Sequence, residues 1–270
     1  MDLVVDGRVV AEYVTKPEVD PRHGPRPYLH PVRTLGGTVV TDILPEDHPW
    51  HLGVSVAVQD VNGTNLWGGR TYVRDQGYTW LDDHGRIEFV EGDASNSRLR
   101  WLDPRGATLI EEARAMRAAQ VDDATWALDF AYTLQNPGEA PVVLGSPATN
   151  GRPDGAGYGG FYWRAVADGP PAVASPSSTV EAEVNGSAGA WVAMWGVSGG
   201  APYTLVFTGR EGSDRWFVRA QQFPGVGVAF AWQRPETIAP GASRSRRHRV
   251  YVADGHLTSE QISAFPPATG

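Results

Sequence analysis

Turn-forming residues punctuate this chain from end to end and limit the length of any regular element between them. The sequence holds 32 glycines and 21 prolines, which together make 53 of its 270 residues. They recur roughly every ten positions, with short alternating apolar and polar runs between them, as is typical of strands. The spacing therefore predicts an all-β fold.

Three segments carry this prediction in detail. Residues 3–14, "LVVDGRVVAEYV", are read as a strand, an Asp-Gly turn and a second strand, and residues 51–61, "HLGVSVAVQDV", place three valines on one face of a strand. Residues 108–120, "TLIEEARAMRAAQ", have a helix-favouring composition. We nevertheless expect a strand there, because the segment lies between two clear strands and has neither a cap nor a helix stop.

Strands this numerous must bury their faces against one another. A large two-sheet, mainly antiparallel β-sandwich with more than a dozen strands and little helix is the expected architecture. We find no internal repeat and no linker, so residues 1–270 are expected to form a single β-sandwich domain, with an exposed loop at residues 167–179.

Charge and composition exclude several function classes. The formal net charge is −8, and the basic run "SRSRRHRV" at 243–250 alternates as an exposed strand edge would, so nucleic acid is not an expected partner. No cysteine is present, which excludes disulfides, thiolate metal sites and a cysteine nucleophile. No apolar run approaches the roughly 18 residues of a membrane helix, and the first residues lack signal-peptide features, so we expect a cytoplasmic protein with no membrane partner.

The segment "EDHPWHLGVSVAVQDVNGTNLWGG", residues 46–69, carries the strongest chemical signal. His48 and His51 lie three apart, and Pro49 keeps His48 out of a helix, so the pair is expected in a loop that leads into a strand. Either histidine alone fits a structural role, but both together favour a site. No compact metal-ligand motif is present, so we expect no cofactor. The alternative is a divalent metal held by His30, His48 and His51.

Polar and aromatic residues elsewhere add a set suited to sugars. Amides and guanidinium groups engage two neighbouring hydroxyls, and an aromatic face suits the C–H side of a sugar ring. The predicted partner is therefore a small-molecule carbohydrate, bound on one concave face. The candidate binding residues are Tyr28, His30, Arg33, Asp60, Asn62, Asn65, Trp67, Asn150, Arg152 and Tyr158.

Plainer interpretations apply to parts of this set. Most of the ten tryptophans are expected in the core. "GAGYGG" is interpreted as a tight loop, since it lacks the helix and basic residue of a phosphate loop. Any single arginine is as readily explained by a surface ion pair.

Three motifs in order, "RPYLHPVRTLGG", "DHPWHLGVSVAVQDVNGTNLWGG" and "GRPDGAGYGGFYWR", resemble the bacterial PmoA-like family, soluble proteins labelled methane oxygenase PmoA. The resemblance extends from the N-terminal hairpin to "APGASRSRRHRVYVADG". A methane monooxygenase subunit spans the membrane several times, whereas this chain has no apolar span. We therefore interpret the oxygenase label as a misnomer, and the resemblance implies no particular reaction.

A second resemblance concerns the fold. Residues 235–255, "PETIAPGASRSRRHRVYVADG", are similar to the closing strands of galactose-mutarotase-like sandwiches. In that group a histidine acts as acid and a glutamate as base at the anomeric carbon of a sugar. His48 and His51 match the histidine, while Glu211 and Glu236 are only positional candidates for the base.

Three hypotheses follow. The first is a sugar epimerase, isomerase or lyase with His48, His51 and Arg164 as catalytic residues, in which a histidine exchanges a proton near neutral pH and an arginine stabilises negative charge. The second is a non-catalytic carbohydrate-binding or sensing protein. The third is a metal-dependent enzyme that uses the histidine cluster.

Overall fold

The computed structural model describes residues 1–153 and 155–266. Within that part of the chain, regular structure consists of twenty strands, a 3₁₀ turn (Pro21–His23) and two short helices, α1 (Glu181–Val184) and α2 (Ser259–Ser263). The strands are β1 (Asp2–Val5), β2 (Arg8–Val14), β3 (Tyr28–Val32), β4 (Val54–Ala57), β5 (Asp60–Val61), β6 (Thr71–Val73), β7 (Gly77–Thr79), β8 (Arg86–Gly92), β9 (Asn96–Leu102), β10 (Thr108–Gln120), β11 (Thr125–Gln135), β12 (Val142–Gly145), β13 (Gly160–Arg164), β14 (Ala172–Ala174), β15 (Trp191–Ser198), β16 (Ala201–Thr208), β17 (Arg215–Arg219), β18 (Gly225–Ala229), β19 (Glu236–Ile238) and β20 (Ser243–Asp254).

Two large antiparallel sheets form the body of the protein. The seven-stranded sheet has the order β1-β2-β3-β4-β13-β18-β17, and the eight-stranded sheet has the order β14-β15-β16-β20-β11-β10-β9-β8. A three-stranded sheet, β19-β12-β5, and the hairpin β6-β7 complete the regular structure of the described residues. The predicted all-β, two-sheet sandwich is confirmed.

Side chains from both sheets meet in one main core. The valines of β4 and its flank, Val54, Val56 and Val58, point into this core, whereas Ala57 packs on the other face of the sheet. Residues 108–120 form β10, as predicted, and Ile110 and Met116 are buried on its inner face. Tertiary pairing with β9 and β11 outweighs the helix propensity of this segment.

Two local expectations need adjustment. Residues 167–179 are not wholly a loop, because they contain β14, which pairs with β15. The basic run lies in β20, a strand inside the eight-stranded sheet. Its first residues, up to His248, pair only with β11 and so form an edge, while β16 pairs from Arg249 onward. No helix among the described residues is long and apolar enough to cross a membrane.

Candidate functional site

The outer face of the seven-stranded sheet carries a second cluster of aromatic residues. Along β13, Phe161 and Trp163 point into the main core, so Tyr162 and Arg164 point outward. Glycines on the neighbouring β18 make room for Tyr162. A Cβ atom added to Gly225 would overlap the Tyr162 hydroxyl, so the ring lies flat across that strand.

A cleft of about 440 Å³ opens above this face. Its walls are supplied by residues from the loops after β3, β5 and β17, from the segment between β12 and β13, from β17 itself, and from the hairpin β6-β7 and the residue after it. The described residues that line it are Asp47, His48, Trp50, His51, Trp67, Gly68, Arg70, Tyr78, Trp80, Arg152, Tyr158, Phe217, Arg219, Gln222 and Phe223.

Aromatic rings make up most of the cleft wall. Trp67 lies 4.8 Å from Tyr158 and 5.0 Å from Tyr162 between ring centroids, and Trp50 meets Trp80 edge to face at 6.5 Å. Trp80 is 44% exposed at the rim. Trp67 is buried, so Trp50, which is half-buried, and Trp80 present the accessible ring faces that suit the apolar side of a sugar ring.

Arg26, buried beneath the cleft, holds two of these tryptophans in place. Its guanidinium donates hydrogen bonds to the backbone carbonyls of Trp50 and Trp67, and also to Gly24 O and Ser55 Oγ, at 2.9–3.0 Å. Burial lowers the pKa of Arg26 to about 9, so the group stays protonated at neutral pH. The planar guanidinium of Arg26 thus fixes the distance between the loop that carries Trp50 and the loop that carries Trp67.

Asn65 shapes the same loop from within. Its Oδ1 accepts hydrogen bonds from the backbone N–H groups of Trp67 and Gly68, and its Nδ2 donates to Gly69 O and Thr71 Oγ1. The side chain is fully buried and does not line the cleft. Asn65 therefore supports the loop that carries Trp67, and its predicted role in binding stays a prediction.

His48 and Asp47 form a hydrogen-bonded pair in the cleft wall. The Nδ1 atom of His48 lies 2.7 Å from Asp47 Oδ2, and 30% of the His48 side chain is exposed. A carboxylate only accepts, so Nδ1 carries a proton, and in the neutral ring Nε2 is the nitrogen left to exchange one. Burial opposes ionisation of Asp47, but the hydrogen bond from His48 and the charge of Arg164 hold its pKa below the usual value.

His51 lies directly behind His48 and is buried. The two imidazoles stack, with centroids 4.7 Å apart and planes 13° from parallel. Arg164 Nη1 lies 3.4 Å from His51 Nδ1, and because a guanidinium only donates, this nitrogen is an acceptor and the proton is on Nε2. Burial, followed by the charges of His48, Arg164 and Arg26, holds the pKa of His51 well below 6.5. The neutral form of His51 is therefore favoured, and of the two histidines proposed for proton exchange His48 is the one with a partly exposed ring.

Arg164 lies beneath the cleft and is 5% exposed. Its guanidinium contacts Asp47 Oδ1 at 3.3 Å and Asp42 Oδ2 at 3.8 Å, and stacks over Phe223 at 5.1 Å. It is therefore placed to orient Asp47 and is not exposed to a ligand.

Hydroxyl groups on the opposite wall form a chain. Gln59 Nε2 donates to the Tyr158 hydroxyl at 3.0 Å, which lies 3.0 Å from the Tyr78 hydroxyl, and Arg152 Nη1 donates to Tyr78. Burial raises the pKa values of Tyr78 and Tyr158 above 10, so both hydroxyls stay protonated at neutral pH.

Several predicted binding residues lie away from the cleft. Asp60 and Asn150 bond to each other at 2.9 Å, and Asn62 caps a turn through Pro141 O and Val143 N. None of the following six lines the cleft, so the predicted convergence is incomplete: Tyr28, His30, Arg33, Asp60, Asn62 and Asn150.

In the described part of the chain, the alternative metal ligands His30, His48 and His51 are not gathered into one cluster. His30 lies on β3, and its Nδ1 lies 2.9 Å from Thr41 Oγ1. Within residues 1–153 and 155–266, no group of three or more His, Asp or Glu side chains is placed to hold a metal ion. Of the two base candidates, Glu236 pairs with Arg244 and Arg246, and Glu211 does not line the cleft.

Sequence reasoning missed more than half of the described residues that line the cleft. The missed residues are Trp50, Gly68, Arg70, Tyr78, Trp80, Phe217, Arg219, Gln222 and Phe223. The alternation in "RWFVR", residues 215–219, indicated that Phe217 and Arg219 share a face. No local pattern identified Gln222 or Phe223, which follow β17 in a turn.

Comparison with known proteins identifies a family and no function. A model described as a family of unknown function (DUF6807) matches residues 1–265, and no curated protein matches the chain. The matched description does not carry the PmoA label, so that resemblance rests on the quoted motifs alone.

Two solved structures are similar to the chain at low scores. One is a polysaccharide lyase, with 12% identity and a TM-score of 0.31 over 78% of this chain and 33% of that one. The other is a mutant heparan sulfate lyase from Pedobacter heparinus, with 8% identity and a TM-score of 0.30 over 82% of this chain and 31% of that one. The chain spans about a third of either protein, and likeness at this level says nothing about activity.

Proposed function

The chain belongs to the DUF6807 family, a family of unknown function, and we propose that its cleft binds a carbohydrate on which His48 performs acid–base chemistry. The reaction class is proton exchange next to a carbonyl or hemiacetal carbon, as in an epimerase, isomerase or lyase. The observation that carries the proposal is the His48–Asp47 pair in a cleft walled by Trp50, Trp67 and Trp80.

Each neighbour has a distinct part in this proposal. Asp47 fixes the His48 tautomer so that Nε2 exchanges the proton with the sugar. Arg164 holds Asp47 from below, and His51, which is neutral, supports the His48 ring by stacking. Arg152 replaces Arg164 as the arginine placed to stabilise negative charge on a ligand, since Arg152 lines the cleft.

A non-catalytic sugar-binding protein is the second candidate. It is favoured by one observation, namely that Asp47 is the only carboxylate among the described lining residues and it is already engaged by His48 and Arg164. A two-carboxylate mechanism of the glycosidase kind therefore finds no second group in the described wall.

The test is proton exchange in heavy water, followed by NMR, with a panel of aldoses, keto-sugars and uronate-containing oligosaccharides. We expect deuterium incorporation or product formation, and we expect His48→Gln to lower the rate by about 10²- to 10⁴-fold while binding is retained. His256→Gln is the matched control, because His256 is exposed and lies outside the cleft.

Three other outcomes are informative. Binding without turnover would favour the second candidate, and full turnover by His48→Gln would assign the chemistry to another group. If titration calorimetry detects no binding of any saccharide in the panel, the carbohydrate proposal itself is wrong.

A further inference from the structure

The cleft continues into a second groove. This groove has a volume of about 730 Å³ and lies between α1 and the turn after β17. Arg152, Arg219 and Gln222 line both spaces, so the two are contiguous and these residues form their boundary. Each space exceeds the roughly 300 Å³ at the lower end of ligand pockets, so together they suit a ligand longer than one sugar unit.

The boundary carries more positive charge than its described neighbours offset. Arg219 donates to the backbone oxygens Val218 O, at 2.8 Å, and Gly155 O, at 3.3 Å, and stacks over the Phe217 ring at 4.6 Å. Arg152 donates to the Tyr78 hydroxyl and stacks over its ring at 4.8 Å. In the part of the chain that the structure describes, neither guanidinium forms an ion pair within 4.0 Å.

The electrostatics of Arg219 agree with this geometry. Burial lowers the pKa of Arg219, Glu181 on α1 opposes this shift, and the nearby charge of Arg152 adds a smaller lowering effect. The Oε2 atom of Glu181 accepts a hydrogen bond from Gln221 N at 2.9 Å, so the groove is lined by two guanidinium groups and one carboxylate. Two partly desolvated like charges are costly to hold together, and an anion between them would offset that cost.

We infer that the ligand is an acidic oligosaccharide that spans both spaces, with a negatively charged oxyanion substituent held between Arg152 and Arg219. Planar guanidinium groups bind carboxylate or sulfate oxygens through paired charge-assisted hydrogen bonds. This inference rests on the proposed function, because it specifies the sugar that the same cleft accepts. It does not depend on whether His48 is catalytic.

The test is titration calorimetry of the full chain with four sets of probes. These are monomeric uronates, their tetrasaccharides (galacturonate, glucuronate and mannuronate), neutral galactose and glucose tetrasaccharides, and a sulfated carrageenan tetrasaccharide. We expect at least one acidic tetrasaccharide to bind about tenfold or more tighter than its monomer and than the neutral tetrasaccharides. A comparison of the affinities for the uronate and carrageenan tetrasaccharides shows whether the bound group is a carboxylate or a sulfate.

Arg219→Gln and Arg152→Gln are each expected to weaken binding of the acidic tetrasaccharide about tenfold, and to weaken binding of the neutral tetrasaccharides by a clearly smaller factor. Arg215→Gln is the matched control, because Arg215 lies on the same strand, also donates only to backbone carbonyls and lines neither space. Its binding should equal that of the unmodified chain.

Each failure has a separate meaning. If neutral tetrasaccharides bind as tightly as acidic ones, the charged substituent is wrong while the carbohydrate proposal stands. If monomers bind as tightly as tetramers, the extended ligand is wrong. If no saccharide binds at all, the inference falls together with the proposed function.

Discussion

At the scale of single residues, the depth of burial of a histidine determines whether its ring can exchange a proton. His48 and His51 are three positions apart and their rings stack, yet one is partly exposed beside a carboxylate and the other is 3% exposed beside a guanidinium. Desolvation and nearby positive charge both disfavour the protonated ring of His51, so it acts as a neutral support. The spacing predicted a pair but gave no means of telling the two apart.

His51→Ala tests this distinction. Because the ring is buried against Tyr162, Trp67 and His48, its removal is expected to lower the free energy of unfolding by about 2–4 kcal/mol. Any pH dependence of sugar turnover or affinity between about pH 5 and 8 should remain, since His51 does not titrate there. Urea denaturation and a pH profile measure the two effects. Loss of the pH dependence with an unchanged melt would contradict the neutral assignment.

At the scale of elements, the loop from Asn65 to Gly69 is shaped by close approach of chain segments. Gly69 has φ +71°, and a Cβ atom there would lie 2.5 Å from the Trp50 ring. Trp50 therefore packs directly on the backbone of another loop, and Arg26 ties the two loops together from below. The aromatic wall depends on a glycine that contacts no ligand.

Gly69→Ala is expected to displace the Trp50 ring and weaken sugar binding about tenfold, because an aromatic wall residue moves. The matched control is Gly63→Ala. Gly63 has a similar backbone conformation, φ +82°, but a Cβ atom there would meet nothing within 4 Å. Both variants should lose about 1 kcal/mol of stability from the strained backbone, and Gly69→Ala should lose more because the Trp50 ring must move. Only Gly69→Ala should lose affinity. Equal affinities in calorimetry would show that the Trp50 position does not matter.

At the scale of the whole molecule, a buried histidine in the basic run of β20 makes the free energy of unfolding depend on pH. His248 of this run points inward, where its Nδ1 donates to Gly209 O at 3.0 Å and its ring packs on Phe161 and Tyr132. Burial, assisted by the charge of Arg246, lowers the pKa of His248 to about 3, although the hydrogen bond to Gly209 O opposes this. Protonating the folded state is therefore costly.

The direction in which stability changes with pH follows from proton linkage. Below an unfolded pKa of 6.5 the unfolded chain binds a proton at this position and the folded chain does not, so stability falls as the pH falls from 6.5 toward about 3. One such histidine contributes a slope of up to about 1.4 kcal/mol per pH unit. His248→Gln should remove this contribution to the slope of the unfolding free energy against pH. Urea denaturation at about pH 7 and about pH 5 measures it, and an unchanged slope would contradict a neutral buried His248.

The sequence alone determined the class of fold and which side chains share one face of a strand. Turn spacing and period-2 alternation predict strands because a strand exposes alternate side chains to opposite faces, and this holds for β4, β13 and even the helix-like β10. Side-chain chemistry, namely a pair of histidines and groups suited to a sugar, identified His48, His51, Trp67, Arg152 and Tyr158, which all line the cleft.

Only the tertiary structure decided which of those residues face a ligand and with what charge. Asn65 and Arg164 match the sequence criteria for binding, but packing turns them into supports, whereas Phe223 and Gln222 reach the cleft from a turn with no local signature. Burial and the approach of distant loops are long-range properties, set by how strands pair across the sheet. A pKa such as that of His51 depends on them and not on neighbours in sequence.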